Sequence, residues 1–120
     1  MHHNSKKLDT DQLEQMLGGV NKTQVAPIVE ELFRDFSERR AILAAAIQDR
    51  DYKSCRIQAH SLKSLSQTFG FEALNQLARK LEEACRNNDD RDIEQIAQGV
   101  FDLMGASKEA LTLYLAEKGR

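Results

Sequence analysis

Tryptophan is absent from this 120-residue chain, proline occurs once, and aromatic residues make up 6% of it. With six glycines and few β-branched residues, that composition favours helix over sheet. No apolar run approaches the ~20 residues needed to cross a bilayer. A basic surplus is missing too. Against 17 Lys and Arg stand 19 Asp and Glu, a net charge of −2, so neither nucleic acid nor membrane insertion is implied. The charged N-terminal stretch has no apolar segment behind it, so no secretory signal is expected. Cys55 and Cys85 fit no zinc or redox spacing. They read as reduced, buried thiols of a cytoplasmic protein. His2 and His3 read as part of a mobile or appended terminus rather than as metal ligands.

What is present is 41% hydrophobic and 30% charged, ordinary for one globular domain. Residues 1–8 are expected as a disordered tail and 9–120 as a single domain. Asp9 or Thr10 can cap a short helix carrying Leu13, Met16 and Leu17 on one side, ended by Gly18-Gly19. Such a piece is too short to be stable alone and is expected across the end of a larger bundle. Asn21 or Thr23 can cap the next helix, with Pro27 near its first turn. Val25, Val29, Leu32, Phe36, Leu43 and Ile47 keep one helical phase, which predicts a long helix over 23–49 of about 40 Å at ~1.5 Å per residue. A break near Ser37 is the alternative. Further helices are predicted over 51–69, 71–87 and 91–117, with Gly70 past the end of the first of them and an Asn-Asn-Asp-Asp turn at 87–90. Gly99 and Gly105 weaken the last helix by roughly 1 kcal/mol each relative to Ala; close packing against a neighbour is one reason for them. Four long amphipathic helices with short connections predict an all-α, antiparallel up-down-up-down four-helix bundle with a short extra N-terminal helix.

Within the 51–69 helix, Cys55, Ala59, Leu62, Ser66 and Phe69 form one buried stripe. His60 lies off it, with Lys63, Ser64 and Gln67 on its own face. The pattern exposes an imidazole, sets an ammonium one turn away, and leaves clear space around it. That suits a nitrogen transiently phosphorylated by a bulky partner; a solvated helix face carrying a histidine is the plain alternative. Treating the helices on either side of Gly70 as an antiparallel hairpin pairs Ser66 with Leu74, Leu62 with Ala78, Ala59 with Leu81 and Cys55 with Cys85. Nearly all are small or apolar, so the register agrees with stripes derived separately. It brings the two thiols together, sets Lys80 roughly opposite His60, and puts Arg79, Glu82 and Arg86 within a turn or so. Glu82 follows the inward Leu81 and should sit at the groove. There its carboxylate can fix one His60 nitrogen and turn the other to solvent. Serving as an intrahelical partner for Arg79, Lys80 or Arg86 is the competing reading.

At His60-Ser61-Leu62-Lys63-Ser64 followed by Gly70, the sequence resembles the histidine-containing phosphotransfer (HPt) domain of bacterial multistep phosphorelays. That family's motif reads His-x-Leu-Lys-Gly, with a Gly ten residues after the His. The likeness continues through Phe71-Glu72-Ala73-Leu74 and Leu77-Ala78-Arg79-Lys80-Leu81-Glu82-Glu83, and the predicted helix order matches from about residue 8 onward.

The resemblance implies that His60 is the phosphoacceptor, that Lys63 stabilises the phosphoryl oxygens, and that Glu82 stands where relatives carry a polar residue near the histidine. Ser64 replaces the usual Gly, which keeps access but adds a hydroxyl. The expected partners are response-regulator receiver domains and a hybrid sensor histidine kinase. The chain is expected to be a monomer without a cofactor of its own, the Mg²⁺ being held by the receiver. Docking is expected around His60 on Arg56, Ile57, Ser64 and Gln67. The chain shows no phosphate-cradling glycine loop, no Walker pattern and no carboxylate cluster for Mg²⁺. A phosphocarrier without autonomous catalysis is therefore expected. The rivals are a non-catalytic helical adaptor, a bundle metal or redox protein, for which inward Glu-x-x-His pairs are missing, and a dimerising kinase hairpin.

Overall fold

The computed structural model describes residues 6–119, and within them every regular element is a helix: α1 (Thr10–Leu17), α2 (Lys22–Gln48), α3 (Tyr52–Phe69), α4 (Glu72–Arg86) and α5 (Asp90–Glu117). The four long helices form the bundle and α1 packs across the end of it that carries Gly70. No helix among the described residues is long and apolar enough to cross a membrane.

Side chains placed by the sequence start most of these helices. The Asp9 carboxylate accepts from the backbone N–H groups of Asp11 and Gln12 at 3.1 and 3.2 Å. Asp51 accepts from Ser54, through its backbone N–H at 3.2 Å and its hydroxyl at 2.7 Å. Asp89 accepts from the Asp92 N–H. Each satisfies donors that a helix N-terminus leaves unpaired. Asn21 is the cap of α2, its own N–H donating to Gln24 Oε1, so Pro27 falls inside the helix. The helix runs unbroken past Ser37. Arg39, which interrupts the apolar stripe there, is half-buried and pairs with Asp35 at 2.8 Å and with Gln58 of α3 at 2.9 Å.

The α3–α4 turn is the tightest point of the fold. Gly70 has φ of +77°, and a Cβ there would stand 2.4 Å from the Asp9 carbonyl oxygen. Only glycine meets both conditions. In return the Asp9 N–H donates to the Gly70 carbonyl at 2.6 Å. Phe71, fully buried, anchors the start of α4 between the rings of Phe36 and Phe69, with centroids at 5.8 and 6.0 Å. The Ala73 N–H, an orphan of the first turn of α4, donates to the Lys6 carbonyl at 2.7 Å, and Leu8 packs on the core. Of the expected disordered tail, residues 1–5, His2 and His3 among them, lie outside the described residues, while Lys6 is tied to α4 and Leu8 to the core by these contacts.

The core is built from the predicted stripes. Leu43, Leu62, Leu74, Leu81, Ile93 and Leu111 are all buried, and Leu13 and Leu17 of α1 join them. Val29, Ile47, Leu77 and Ile96, also expected inward, are partly buried at its margin. The two glycines of α5 differ. A Cβ on Gly99 would meet Leu77 Cδ2 at 2.7 Å, so α4 and α5 pack closely there, whereas nothing lies within 4 Å of one on Gly105.

Candidate phosphoacceptor site

The site is assembled by α3 and α4, the most extensively packed helix pair. Ala59, Leu62, Ala78 and Leu81 are fully buried between them. These small and branched side chains fix the register, and the residues flanking them emerge at the groove. His60 follows Ala59 and its side chain is 60% exposed. Glu82 follows Leu81 and is 8% exposed.

The Glu82 carboxylate is shared. Oε2 lies 2.9 Å from His60 Nδ1, and Oε1 accepts from Lys63 Nζ at 2.8 Å. Arg86 of the same helix approaches Oε2 at 3.8 Å, so the intrahelical partner expected of Glu82 is present as a weaker contact beside the His60 one. Burial alone would raise the Glu82 pKa. The hydrogen bonds from Lys63 and His60, reinforced by their charges, outweigh it and hold the carboxyl below its ordinary value. Glu82 is thus an anion over the neutral range. As an anion it only accepts, so the neutral imidazole paired with it carries its proton on Nδ1 and presents the Nε2 lone pair.

Lys63 is half-buried, its ammonium held against the same carboxylate. Its backbone is also tied down. Asn75, buried on α4, donates its side-chain amide to the Lys63 carbonyl at 2.7 Å. Periodicity did not single out Asn75, because it sits between the apolar Leu74 and the exposed Gln76 and reads there as a boundary residue. Ser66, inside the stripe, is buried with its hydroxyl on the Leu62 carbonyl at 2.6 Å, which accounts for a polar residue there.

Around His60 the surface is open. Arg56, Ile57, Ser61 and Glu82 line a shallow depression with it. Ile57 is 50% exposed, and Ser64 and Gln67 are exposed on the next turns. Arg79 is exposed, and Lys80 lines a separate depression with Asp92 and Ile96 of α5. The hairpin register fixes height along the helix and not direction around it: two residues before Glu82, at 100° per residue, Lys80 faces the other side.

A nucleophilic nitrogen turned to solvent, a fixed anion behind the ring and a cation one turn along make an arrangement suited to carrying a covalent anionic group. No cluster of three or more His, Cys, Asp or Glu placed to hold a metal occurs among the described residues.

Comparison with known proteins bears on the same residues. A family model, Hpt domain, matches residues 27–117. The fold is similar to that of the HPt domain from a hybrid sensor histidine kinase of Shewanella, with a TM-score of 0.73 and 18% identity over 92% of this chain and 95% of that one. It is also similar to histidine-containing phosphotransfer protein B of Pseudomonas aeruginosa, with a TM-score of 0.66 and 23% identity over 89% of this chain and 98% of that one. No curated protein matches the sequence significantly.

Proposed function

The chain belongs to the Hpt domain family, the phosphocarrier modules of phosphorelays, and from that membership we propose that His60 accepts a phosphoryl group from a receiver-domain aspartate and passes it to a second receiver. The observation that carries the assignment is the pairing of an exposed His60 ring with the buried Glu82 carboxylate through Nδ1.

In the forward step the Nε2 lone pair attacks the phosphorus of the aspartyl phosphate. An N–P bond forms, the P–O bond breaks, and the aspartate carboxylate leaves. The ring becomes cationic as the bond forms, and Glu82, accepting from Nδ1–H, stabilises that charge without moving. Phosphoryl transfer depends mainly on in-line positioning and charge neutralisation. The receiver supplies Mg²⁺ and most of that machinery. Lys63 adds a point charge for the phosphoryl oxygens, and must exchange part of its Glu82 contact to do so. Return of the group to another receiver reverses the steps. Docking falls to the open surface of Arg56, Ile57, Ser64 and Gln67, wide enough for a domain to reach the ring. The donor receiver belongs to a hybrid sensor histidine kinase, and the carrier works as a cytoplasmic monomer.

Incubation with a ³²P-labelled receiver domain tests this reading. Label should move to the wild-type chain, be acid-labile, map to His60, and be discharged by a second receiver. His60→Gln should keep its helicity and take up no label; a labelled His60→Gln chain would refute the assignment.

A further inference from the structure

Behind the phosphoacceptor face, Cys55 of α3 and Cys85 of α4 meet across the helix interface with their sulfurs 2.8 Å apart. Both are free thiols, at 0% and 3% exposure. We propose that the pair is a reversible oxidation site, at which hydrogen peroxide converts the two thiols into an intramolecular disulfide that staples α3 to α4.

Packing as small apolar side chains explains why two cysteines are buried. It does not explain why they face one another sulfur to sulfur. The register that brings them together is the one fixed by Ala59, Leu62, Ala78 and Leu81, all fully buried, and both cysteines are equidistant in sequence from Gly70. At 2.8 Å the sulfurs stand about 0.8 Å from bonding distance, taking an S–S length of about 2.0 Å. Side-chain rotation within a packed hairpin closes such a gap without unfolding it.

The environment separates the two thiols. The contact with Cys55 holds the Cys85 thiol below its ordinary range; burial opposes this, and the Arg56 guanidinium adds to it. The same contact, with burial, pushes Cys55 up. The Arg56 guanidinium favours a thiolate at Cys85 and the Asp51 carboxylate disfavours one at Cys55, which makes Cys85 the attacking sulfur. Its thiolate attacks one peroxide oxygen; an S–O bond forms, the O–O bond breaks, and the hydroxide that leaves is protonated to water. Cys55 sulfur then attacks the sulfenic sulfur; the S–S bond forms, the S–O bond breaks, and the departing hydroxide takes the Cys55 proton as a second water. Two thiols lose two electrons and one peroxide becomes two waters. The burial of both sulfurs selects the oxidant. A peroxide is small enough to enter during a local opening, while a peptide disulfide such as oxidised glutathione is too large to reach either sulfur in the folded chain.

The test uses the whole folded protein with hydrogen peroxide, followed by acid quench, denaturing alkylation, intact mass and non-reducing peptide mapping. The expected product is a monomer lighter by two hydrogens, with Cys55 joined to Cys85, restored by dithiothreitol. Closing a loop of that size should raise Tm by about 10 °C. Oxidised glutathione should react far more slowly. Thiols that remain free at a peroxide dose oxidising a solvent-exposed dithiol, a sulfinic-acid end product, or disulfide-linked dimers would each overturn the proposal. Rapid mixed-disulfide formation with glutathione would overturn the selection of a small oxidant.

Discussion

Replacing Glu82 with Ala isolates the contribution of the carboxylate to the chemistry. The side chain is 11% exposed and gives one oxygen to His60 Nδ1 and the other to Lys63 Nζ. A hydrogen bond to a charged group is worth about 1.5–3 kcal/mol. His60 is largely solvated, which places this bond at the low end, and a loss of about 1.4 kcal/mol in the transition state is about tenfold in rate. Glu82→Ala should therefore accept phosphate from a phosphorylated receiver about tenfold more slowly in a rapid-quench assay. Glu82→Gln keeps an acceptor for Nδ1–H but loses the charge, and should fall between the two. The same carboxylate links stability to pH. Its folded pKa lies below the ordinary value of 4.5, so its pairing stabilises the fold above that value and the contribution is lost as pH falls through the folded pKa. Urea melts of wild type and Glu82→Gln should differ at pH 7, and the difference should shrink as pH falls below 4.5 and through the folded pKa. A Glu82→Ala chain that is normally helical and transfers within twofold of wild type would refute the reasoning, because the ring would then be oriented by something else.

Lys63→Ala should slow transfer by roughly fivefold, the equivalent of about 1 kcal/mol, and shorten the lifetime of the phosphohistidine; unchanged rates would make Lys63 a solvated lysine. Gly70→Ala forces an L-residue into the left-handed region at about 1–2 kcal/mol and drives its Cβ into the Asp9 carbonyl, so it should cost at least about 2 kcal/mol by urea melt, with α1 released first in hydrogen exchange. Gly105→Ala should stabilise by up to about 1 kcal/mol, since α5 gains helix propensity and meets nothing, whereas Gly99→Ala should gain less because Leu77 must move; equal gains would contradict the close approach of α4 and α5.

The bundle was legible because its helices carry their own punctuation. Asp9, Asp51 and Gly70 stand where caps and a left-handed turn require them, and the stripes keep one phase. Much of the site followed from two local facts. His60 lies off the α3 stripe, and Glu82 is one residue past a buried leucine, so the hairpin register brings them to one groove. The same reasoning misplaced Lys80, because register says nothing about rotation around the axis. Asn75 escaped because its partner is a backbone carbonyl, which no side-chain pattern marks. Gly99 and Gly105 look alike in sequence, and only the position of Leu77 on another helix tells them apart.

The central claim is that Glu82 holds Nδ1 and leaves Nε2 to carry the group. ¹⁵N-labelled His60 observed by long-range ¹H–¹⁵N NMR before and after phosphorylation tests it directly. The account predicts a protonated Nδ1 throughout and phosphorus coupling on Nε2 alone. Coupling on Nδ1, or His60 signals unchanged while label accumulates, would contradict it.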